Sequence, residues 1–293
     1  MYIQDIIKKY RSLLDYLDLE IIISYSINKT REFVLTYPLY KLNPKEEKKI
    51  KENISRRIQK EPLAYIIGYK EFYSLKFKVN QNTLIPRPET ELLVDIALKD
   101  IKKTHSKKNV YIIDTGTGSG NIIISLAKNI NNYTKKHCYF YALDISSQAL
   151  TIAKENALYH QVKKEIVFLK SDLLKKIITK KFLYNKENNI FVLANLPYLS
   201  QKNYLNTDET IKKYEPRLAL VSGKNGLFHY EKLFQQIKFI QTKQSSASFV
   251  IILEFSPEQK TILEKIINFY FPKNKLNFYQ DLQHKTRLVK IKL

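Results

Sequence analysis

Asn109-Val-Tyr-Ile-Ile-Asp114-Thr-Gly116-Thr-Gly118-Ser-Gly120 is the stretch from which the fold can be read. Val110 to Asp114 is a short apolar run of the kind that forms a fully buried strand. The three glycines that follow have no Cβ, so the backbone can turn tightly and approach a ligand closely. Asn121 to Ile130 then reads as a helix, whose first turn presents free N–H groups. Strand, glycine loop and helix in that order put a ligand at the carboxyl end of a parallel strand. The spacing is G-x-G-x-G rather than the G-x-G-x-x-G of dinucleotide sites, and the chain has no Gly-Lys-Ser/Thr phosphate loop. A carboxylate at the strand end, Asp114, suits a neutral or cationic ligand better than a pyrophosphate.

The same alternation continues outward. Tyr139 to Asp144 reads as a second strand, followed by a helix from Ser146 to His160. Ile166 to Leu169 and Ile190 to Ala194 are further short strands, and Phe228 to Ile240 is helical. Phe249 to Phe255 is a strand, Pro257 to Phe269 a helix, and Leu276–Tyr279 with Leu288–Ile291 a closing pair. Strands alternating with helices imply a mostly parallel sheet covered on both faces, an α/β Rossmann-like fold. On the amino-terminal side, residues 1 to about 75 read as helical. Ile6, Ile7, Tyr10, Leu13, Leu14 and Leu17 recur at helical spacing, and Pro44 opens a charged amphipathic helix. Residues 70–85 alternate apolar and polar, which suggests a short hairpin. The expected division is a helical domain over 1–72, a hairpin linker over 73–88 and the α/β domain over 89–293. Lys102 to Lys108 is expected to be a polar loop.

Composition bounds the partners less than it first suggests. The 293 residues hold 50 Lys+Arg against 28 Asp+Glu, a formal charge of +22, but the cations are 43 Lys and only 7 Arg. The chain is also rich in Ile, Asn, Tyr and Phe, so the charge reads mainly as a compositional background of A/T-rich codons. Such a field can draw nucleic acid, yet arginine, the better fork for phosphates and bases, is scarce. A single cysteine, Cys138, excludes an internal disulfide or a Cys-rich zinc site. His105, His137, His160, His229 and His284 have no metal-ligand spacing and read as surface or packing residues, so no metal is expected. No apolar run approaches the ~20 residues of a membrane span, and the first twenty residues lack the apolar centre of a signal peptide. A cytoplasmic address is expected.

Three further carboxyl-edge features accompany the glycine loop. Asp144 ends the second strand, where an acid holds ribose hydroxyls in doubly wound folds; it can equally cap the helix that follows. Ser171-Asp172 follows the third strand, where an adenine amino group could be read. Asn195-Leu196-Pro197-Tyr198 follows the strand Ile190–Ala194. This loop resembles the (Asn/Asp)-Pro-Pro-Tyr motif of methyltransferases that act on planar nitrogens, and the resemblance implies an amide or aryl amine target, a poor nucleophile whose activation must be geometric and electrostatic. The Asn195 oxygen can accept one N–H of such a group and the Leu196 carbonyl the other, while Pro197 holds the turn and Tyr198 packs on the planar group.

Together these residues resemble class I S-adenosylmethionine-dependent methyltransferases, and Asn-Leu-Pro-Tyr is similar to their (Asn/Asp)-Pro-Pro-Tyr loop for planar nitrogens. Leu84-Ile-Pro-Arg-Pro-Glu-Thr90, Glu61-Pro-Leu-Ala-Tyr-Ile-Ile-Gly68 and Tyr214-Glu-Pro-Arg-Leu-Ala-Leu-Val-Ser-Gly-Lys-Asn-Gly226 resemble stretches of the HemK/PrmC-type release factor glutamine methyltransferases. That resemblance spans nearly the whole chain. It implies S-adenosyl-L-methionine held by Asp114, Gly116, Thr117, Gly118, Ser119, Gly120, Asp144, Asp172, Leu173 and Asn195. It further implies a substrate glutamine oriented by Asn195, Leu196, Pro197 and Tyr198. The implied partners are class 1 peptide chain release factors, methylated at N5 of their Gly-Gly-Gln glutamine and docked by the helical domain. A monomer is expected, with no membrane partner and no requirement for direct contact with nucleic acid. Three departures stand out: Leu196 replaces the family's usual proline, Glu254-Phe-Ser256 its Glu-(His/Ile)-Gly, and Asp281-Leu-Gln-His-Lys-Thr-Arg287 its Asp-Tyr-Gly-x-x-x-Arg. The last two are expected to lie away from the chemistry. Asn-Leu-Pro-Tyr also occurs in ribosomal RNA adenine dimethyltransferases, so an RNA adenine-N6 target and a non-catalytic, basic ribosome-associated protein stay open as other readings. The RNA enzymes place the helical domain after the glycine loop, and here it comes first.

Overall fold

The structure, a computed structural model, describes residues 1–104, 108–130, 137–243 and 247–293. Residues 105–107, which hold His105 and the middle of the expected Lys102–Lys108 loop, lie outside the described residues. The chain divides into a smaller unit, residues 1–69 with 208–214, and a larger one, residues 70–207 with 215–293.

Five helices make the smaller unit: Ile3–Tyr10, Tyr16–Ile27, Arg31–Thr36, Pro44–Ile58 and Leu63–Ile67. Ile3, Ile6, Leu19, Ile22, Ile23, Ile50 and Ile54 are its buried core. The apolar periodicity from Ile6 to Leu17 does not form one helix. The chain breaks over Arg11–Asp15, where the Asp15 carboxylate accepts the Leu17 N–H at 2.8 Å and starts a new helix. A side-chain cap satisfies the first-turn donors that continuation would have left to the backbone. Leu13 and Leu17, which the periodicity assigns to a core face, are largely exposed. Pro44 does open its helix, with Asn43 and Glu46 forming a reciprocal capping box. The short helix Glu209–Tyr214 belongs to this unit, and the Tyr214 hydroxyl donates to the Gln59 carbonyl at 2.9 Å.

The larger unit begins with a hairpin, β1 (Tyr69–Phe72) and β2 (Leu75–Lys78), and is built on a seven-stranded sheet. Its strands are β3 (Asn109–Thr115), β4 (Cys138–Asp144), β5 (Ile166–Lys170), β6 (Asn188–Ala194), β7 (Ser248–Glu254), β8 (Lys275–Gln280) and β9 (Thr286–Lys292), in the order β5-β4-β3-β6-β7-β9-β8. The first five run parallel; β9 inserts antiparallel between β7 and the edge strand β8. β8 keeps an alternating, half-exposed pattern while β9 is buried over Leu288–Ile291, as an edge strand and an interior strand should be. The two faces carry separate cores. Ile112 packs with the helices Glu91–Ile101 and Asn121–Asn129, whereas Ile113 packs with Phe228–Thr242 and Lys260–Tyr270. Strand order reverses beside β3, between β4 and β6, so the carboxyl ends of these three strands open a crevice.

The hairpin is fixed to this unit by side chains of the helix Ser147–Tyr159 and of its C-cap residue, His160. Asn156 accepts the Lys78 N–H at 2.7 Å and donates to the Lys78 carbonyl at 3.0 Å and the Ser119 carbonyl at 2.8 Å. His160 Nε2 reaches the Lys76 carbonyl at 2.8 Å. Phe72 and Phe77 are buried in the core beneath.

Candidate active site

At the crevice lies a cavity of about 320 Å³, within the range of small-molecule sites, about 300–1,000 Å³. Gly116, Thr117, Gly118, Ser119, Asp144, Asp172, Leu173, Asn195, Leu196 and Pro197 all line it. Asp114, Gly120 and Tyr198 do not.

Each exception has a physical reason. Asp114 is fully buried beneath the glycine loop, and its Oδ2 accepts the Thr117 hydroxyl at 2.6 Å. Gly120 adopts φ +81°, and a Cβ there would press on Ile124 and Ala153; its missing side chain lets two helices pack rather than admitting a ligand. Tyr198 packs against the core cluster that holds Leu196 and Tyr230, and burial drives its phenol pKa far above the ordinary value. The sequence reading gave Tyr198 the substrate's planar group; its half-buried ring packs against the core cluster, beside the residues that line the cavity.

The loop is held by its neighbours. Gly116 and Thr117 donate backbone N–H groups to the Leu143 carbonyl at 2.8 and 2.9 Å. Asp144 accepts the Gly118 N–H at 2.9 Å through Oδ2 and the Ser146 N–H at 2.8 Å through Oδ1. It therefore does both things the sequence allowed, orienting the helix entry and facing the cavity; burial raises its pKa against those bonds. Burial pushes the Asp114 carboxyl up to about 7, opposed by the Thr117 hydroxyl and the Ile123 N–H and reinforced by the charge of Asp144. Its Oδ1 is buried without a fully formed hydrogen bond among the described residues. A buried acid with one oxygen under-supplied with donors, beneath a glycine cradle, fits a ligand that brings an N–H or a positive charge.

The Asn195–Tyr198 loop is clamped from three sides. Gln259 Nε2 donates to the Tyr198 carbonyl at 2.8 Å and the Asn225 carbonyl at 3.2 Å. Gly226 passes so close that a Cβ would collide with the Tyr198 carbonyl. The buried Tyr230 hydroxyl approaches the Leu196 carbonyl at 3.2 Å and binds the Glu254 carbonyl more closely. Its one hydrogen lies between the two carbonyls, and the Leu196 carbonyl oxygen has a second lone pair. Leu196 is itself buried, and packs so near Gly116 that a Cβ there would lie 3.0 Å from its Cδ2.

Several site residues escaped the sequence reading. Thr90 lines the cavity and joins Asn195 to Glu254, the one position of Glu254-Phe-Ser256 that keeps the family pattern. Burial lifts the Glu254 carboxyl to about 7 against the Thr90 hydroxyl and Arg287. Arg287 pairs with Asp281 at 2.6 Å, so that ion pair survives the loss of the family's Tyr and Gly. Arg87 pairs at 2.5 Å with the buried Glu215, which also accepts the Ile85 N–H at 3.2 Å. His229, read as a packing residue, forms part of the cavity wall. Its Nδ1 lies 2.7 Å from the Ser222 hydroxyl, and burial and Lys232 lower its pKa. The quoted motifs contained Thr90, Arg87 and Glu215, but nothing in their spacing said which ones meet.

A Rossmann-like sheet of this order, with a glycine loop, a second-strand acid and an Asn-x-Pro-Tyr turn on one crevice, defines a class I methyltransferase, a class that uses S-adenosylmethionine. Residues 8–68 match the family described as PrmC N-terminal domain, and residues 106–196 the one described as methyltransferase domain. The chain belongs to the release factor glutamine methyltransferase family. It is 34% identical to the release factor glutamine methyltransferase of Clostridium botulinum, over 94% of this chain and 90% of that protein. It is 37% identical to the enzyme of the same name from Lactococcus lactis, over 84% and 83%. Among solved structures, the hMettl16 catalytic domain in complex with a 3'UTR hairpin shares the fold, with a TM-score of 0.53 at 16% identity over 75% of each chain.

Proposed function

We infer that this chain transfers a methyl group from S-adenosyl-L-methionine to N5 of the glutamine in the Gly-Gly-Gln motif of class 1 peptide chain release factors. The observation that carries the reading is that Asn195 and Leu196 line the cavity as neighbours, with Asn195 Oδ1 lacking a hydrogen-bond partner among the described residues and the Leu196 carbonyl having a second lone pair beside its contact with Tyr230. Two acceptors held side by side match the two hydrogens of a primary amide. Accepting both would draw electron density onto the nitrogen and aim its lone pair at the methyl. A side chain able to deprotonate an amide would not be needed: the sulfur–methyl bond would break as the nitrogen–methyl bond forms, S-adenosylhomocysteine would be the leaving group, and the methylated nitrogen would then shed its proton to water. The cofactor supplies an electrophilic methyl on a sulfonium. Asp144 is assigned to its ribose hydroxyls, the glycine loop with Asp114 to its amino-acid end, and Ser171–Leu173 to the adenine. The amino-terminal helical unit is assigned to docking of the protein substrate.

Incubation with methyl-labelled cofactor and a release factor, beside a copy with Ala for the Gly-Gly-Gln glutamine, tests the reading. Label should enter only the glutamine form; equal labelling of both sinks it. Asn195→Ala should lose most of the turnover.

A further inference from the structure

Thr90 is the N-cap of the helix Glu91–Ile101, a position where a threonine hydroxyl ordinarily accepts a first-turn N–H. Here it makes no such bond. It donates instead to Glu254 Oε2 at 2.6 Å, and it receives the Asn195 Nδ2 at 3.0 Å. All three are drawn from different carboxyl-edge segments: Thr90 from the Pro-Arg-Pro strap, Asn195 after β6 and Glu254 at the end of β7. Thr90 and Glu254 are buried, at 1% and 2% exposure.

A hydroxyl has one hydrogen. When Glu254 is ionised that hydrogen is committed to its carboxylate, so the Thr90 oxygen is an acceptor only, and it accepts from the nitrogen end of the Asn195 amide. Rotating the amide by 180° would set its oxygen against the Thr90 lone pairs and leave both without a hydrogen. Among the described residues, Asn195 Oδ1 is the end left without a partner. Glu254 meets the loop a second time through its backbone, since its carbonyl and that of Leu196 both approach the Tyr230 hydroxyl. We propose that Thr90 and Glu254 are positioning residues that lock the Asn195 amide in the one orientation offering its oxygen, so that two acceptors and no donor meet the target nitrogen.

This rests on the proposed amide substrate and deepens it: the site selects a group with two N–H hydrogens and rejects one that offers a lone-pair acceptor in the same place. Thr90→Val keeps the shape and removes the relay. It should cut turnover on the release-factor glutamine at least about tenfold, the worth of one oriented hydrogen bond, with the KM for cofactor changed less than twofold. Thr90→Ser should restore turnover to within about threefold of wild type. Turnover of Thr90→Val within twofold of wild type, or equal losses in Val and Ser, overturns the proposal. A second measurement is made on the wild-type protein and does not depend on Thr90→Val. In an asparagine-15N sample, the Asn195 side-chain NH₂ pair, identified by its loss in Asn195→Ala, should show one hydrogen slowed in solvent exchange. Two hydrogens exchanging alike overturn the proposal even if Thr90→Val does not fold. Failure of the wild type to methylate the release factor, with that protected hydrogen present, would instead refute the substrate assignment.

Discussion

Gly226 gives the sharpest test of how the substrate loop is held. It sits at φ +79°, and an added Cβ would collide with the Tyr198 carbonyl and Gln259 Nε2 and lie 3.0 Å from the Ser200 nitrogen. In Gly226→Ala the left-handed backbone costs about 1 kcal/mol. Relieving the collision separates Gln259 from the Tyr198 and Asn225 carbonyls, two bonds of about 1 kcal/mol each. Residual strain in the packed core adds roughly 1 kcal/mol. The total, about 4 kcal/mol, corresponds to a fall in melting temperature of roughly 8 °C or more in a domain of this size. Gly223→Ala is the control. It shares the positive φ, but its Cβ would meet only Phe228 at 3.0 Å, and it should cost about half as much. Scanning calorimetry reads the stabilities. Titration with S-adenosylhomocysteine should find affinity within about threefold of wild type, because the glycine loop is not displaced. Turnover should fall about a hundredfold, since an ångström of misplacement at the reacting group is enough. A melting temperature within 3 °C of wild type together with undiminished turnover would refute the steric reasoning.

Other outcomes follow from the same geometry. Asp114 has a folded pKa of about 7 against an ordinary 3.8, so its proton is held more tightly in the folded state, and its contribution to stability is lost as pH rises from about 4 to about 7. A cationic ligand favours the ionised form; cofactor affinity should therefore rise from pH 6 to pH 8 with release of up to one proton, seen as a binding enthalpy that depends on buffer, and Asp114→Asn should flatten both. Glu215→Ala removes the partner of Arg87 and the acceptor of the Ile85 N–H and should destabilise the larger unit by about 2 kcal/mol in urea, Arg87 being partly solvated. Asn156→Ala frees the Lys78 and Ser119 backbones together; expected are a loss of about 3 kcal/mol and weaker cofactor binding, whereas a stable variant with normal affinity would show that the hairpin does not steady the loop.

Much of this architecture was legible because the signals were local. Val110–Gly120 announces a buried strand, a turn that needs glycine and a helix start within eleven residues, and the structure follows it. Helix ends were harder. The Ile6–Leu17 periodicity is real, but Asp15 competes for the backbone donors, and a cap outweighs a weak apolar repeat. The closing pair was visible, whereas the insertion of β9 inside β8 was not, since strand order depends on which faces the whole sheet leaves uncovered. The site divides the same way. Asn195 and Leu196 are adjacent, so their joint use could be argued from the chain. Thr90 and Glu254 are 164 residues apart, and a side-chain bond across that distance leaves no period or spacing to read. Tyr198 shows the other side of this: a motif says which residues stand together, but not how its half-buried ring divides between the core and the loop.

The allocation of Glu209–Tyr214 to the smaller unit has a consequence for synthesis. The chain completes its first five helices, then most of the glycine-loop region, before it produces the segment that returns to the first unit. A ribosome must therefore release residue 214 before the amino-terminal helices have their full complement of contacts, and the two units finish in an interleaved rather than a sequential order. A fragment ending at residue 69 would contain every helix that sequence inspection assigns to this unit and still lack one of its parts. Limited cutting between residues 69 and 70 would leave the pieces of the smaller unit on two different polypeptides, held together only by what they share in the folded state.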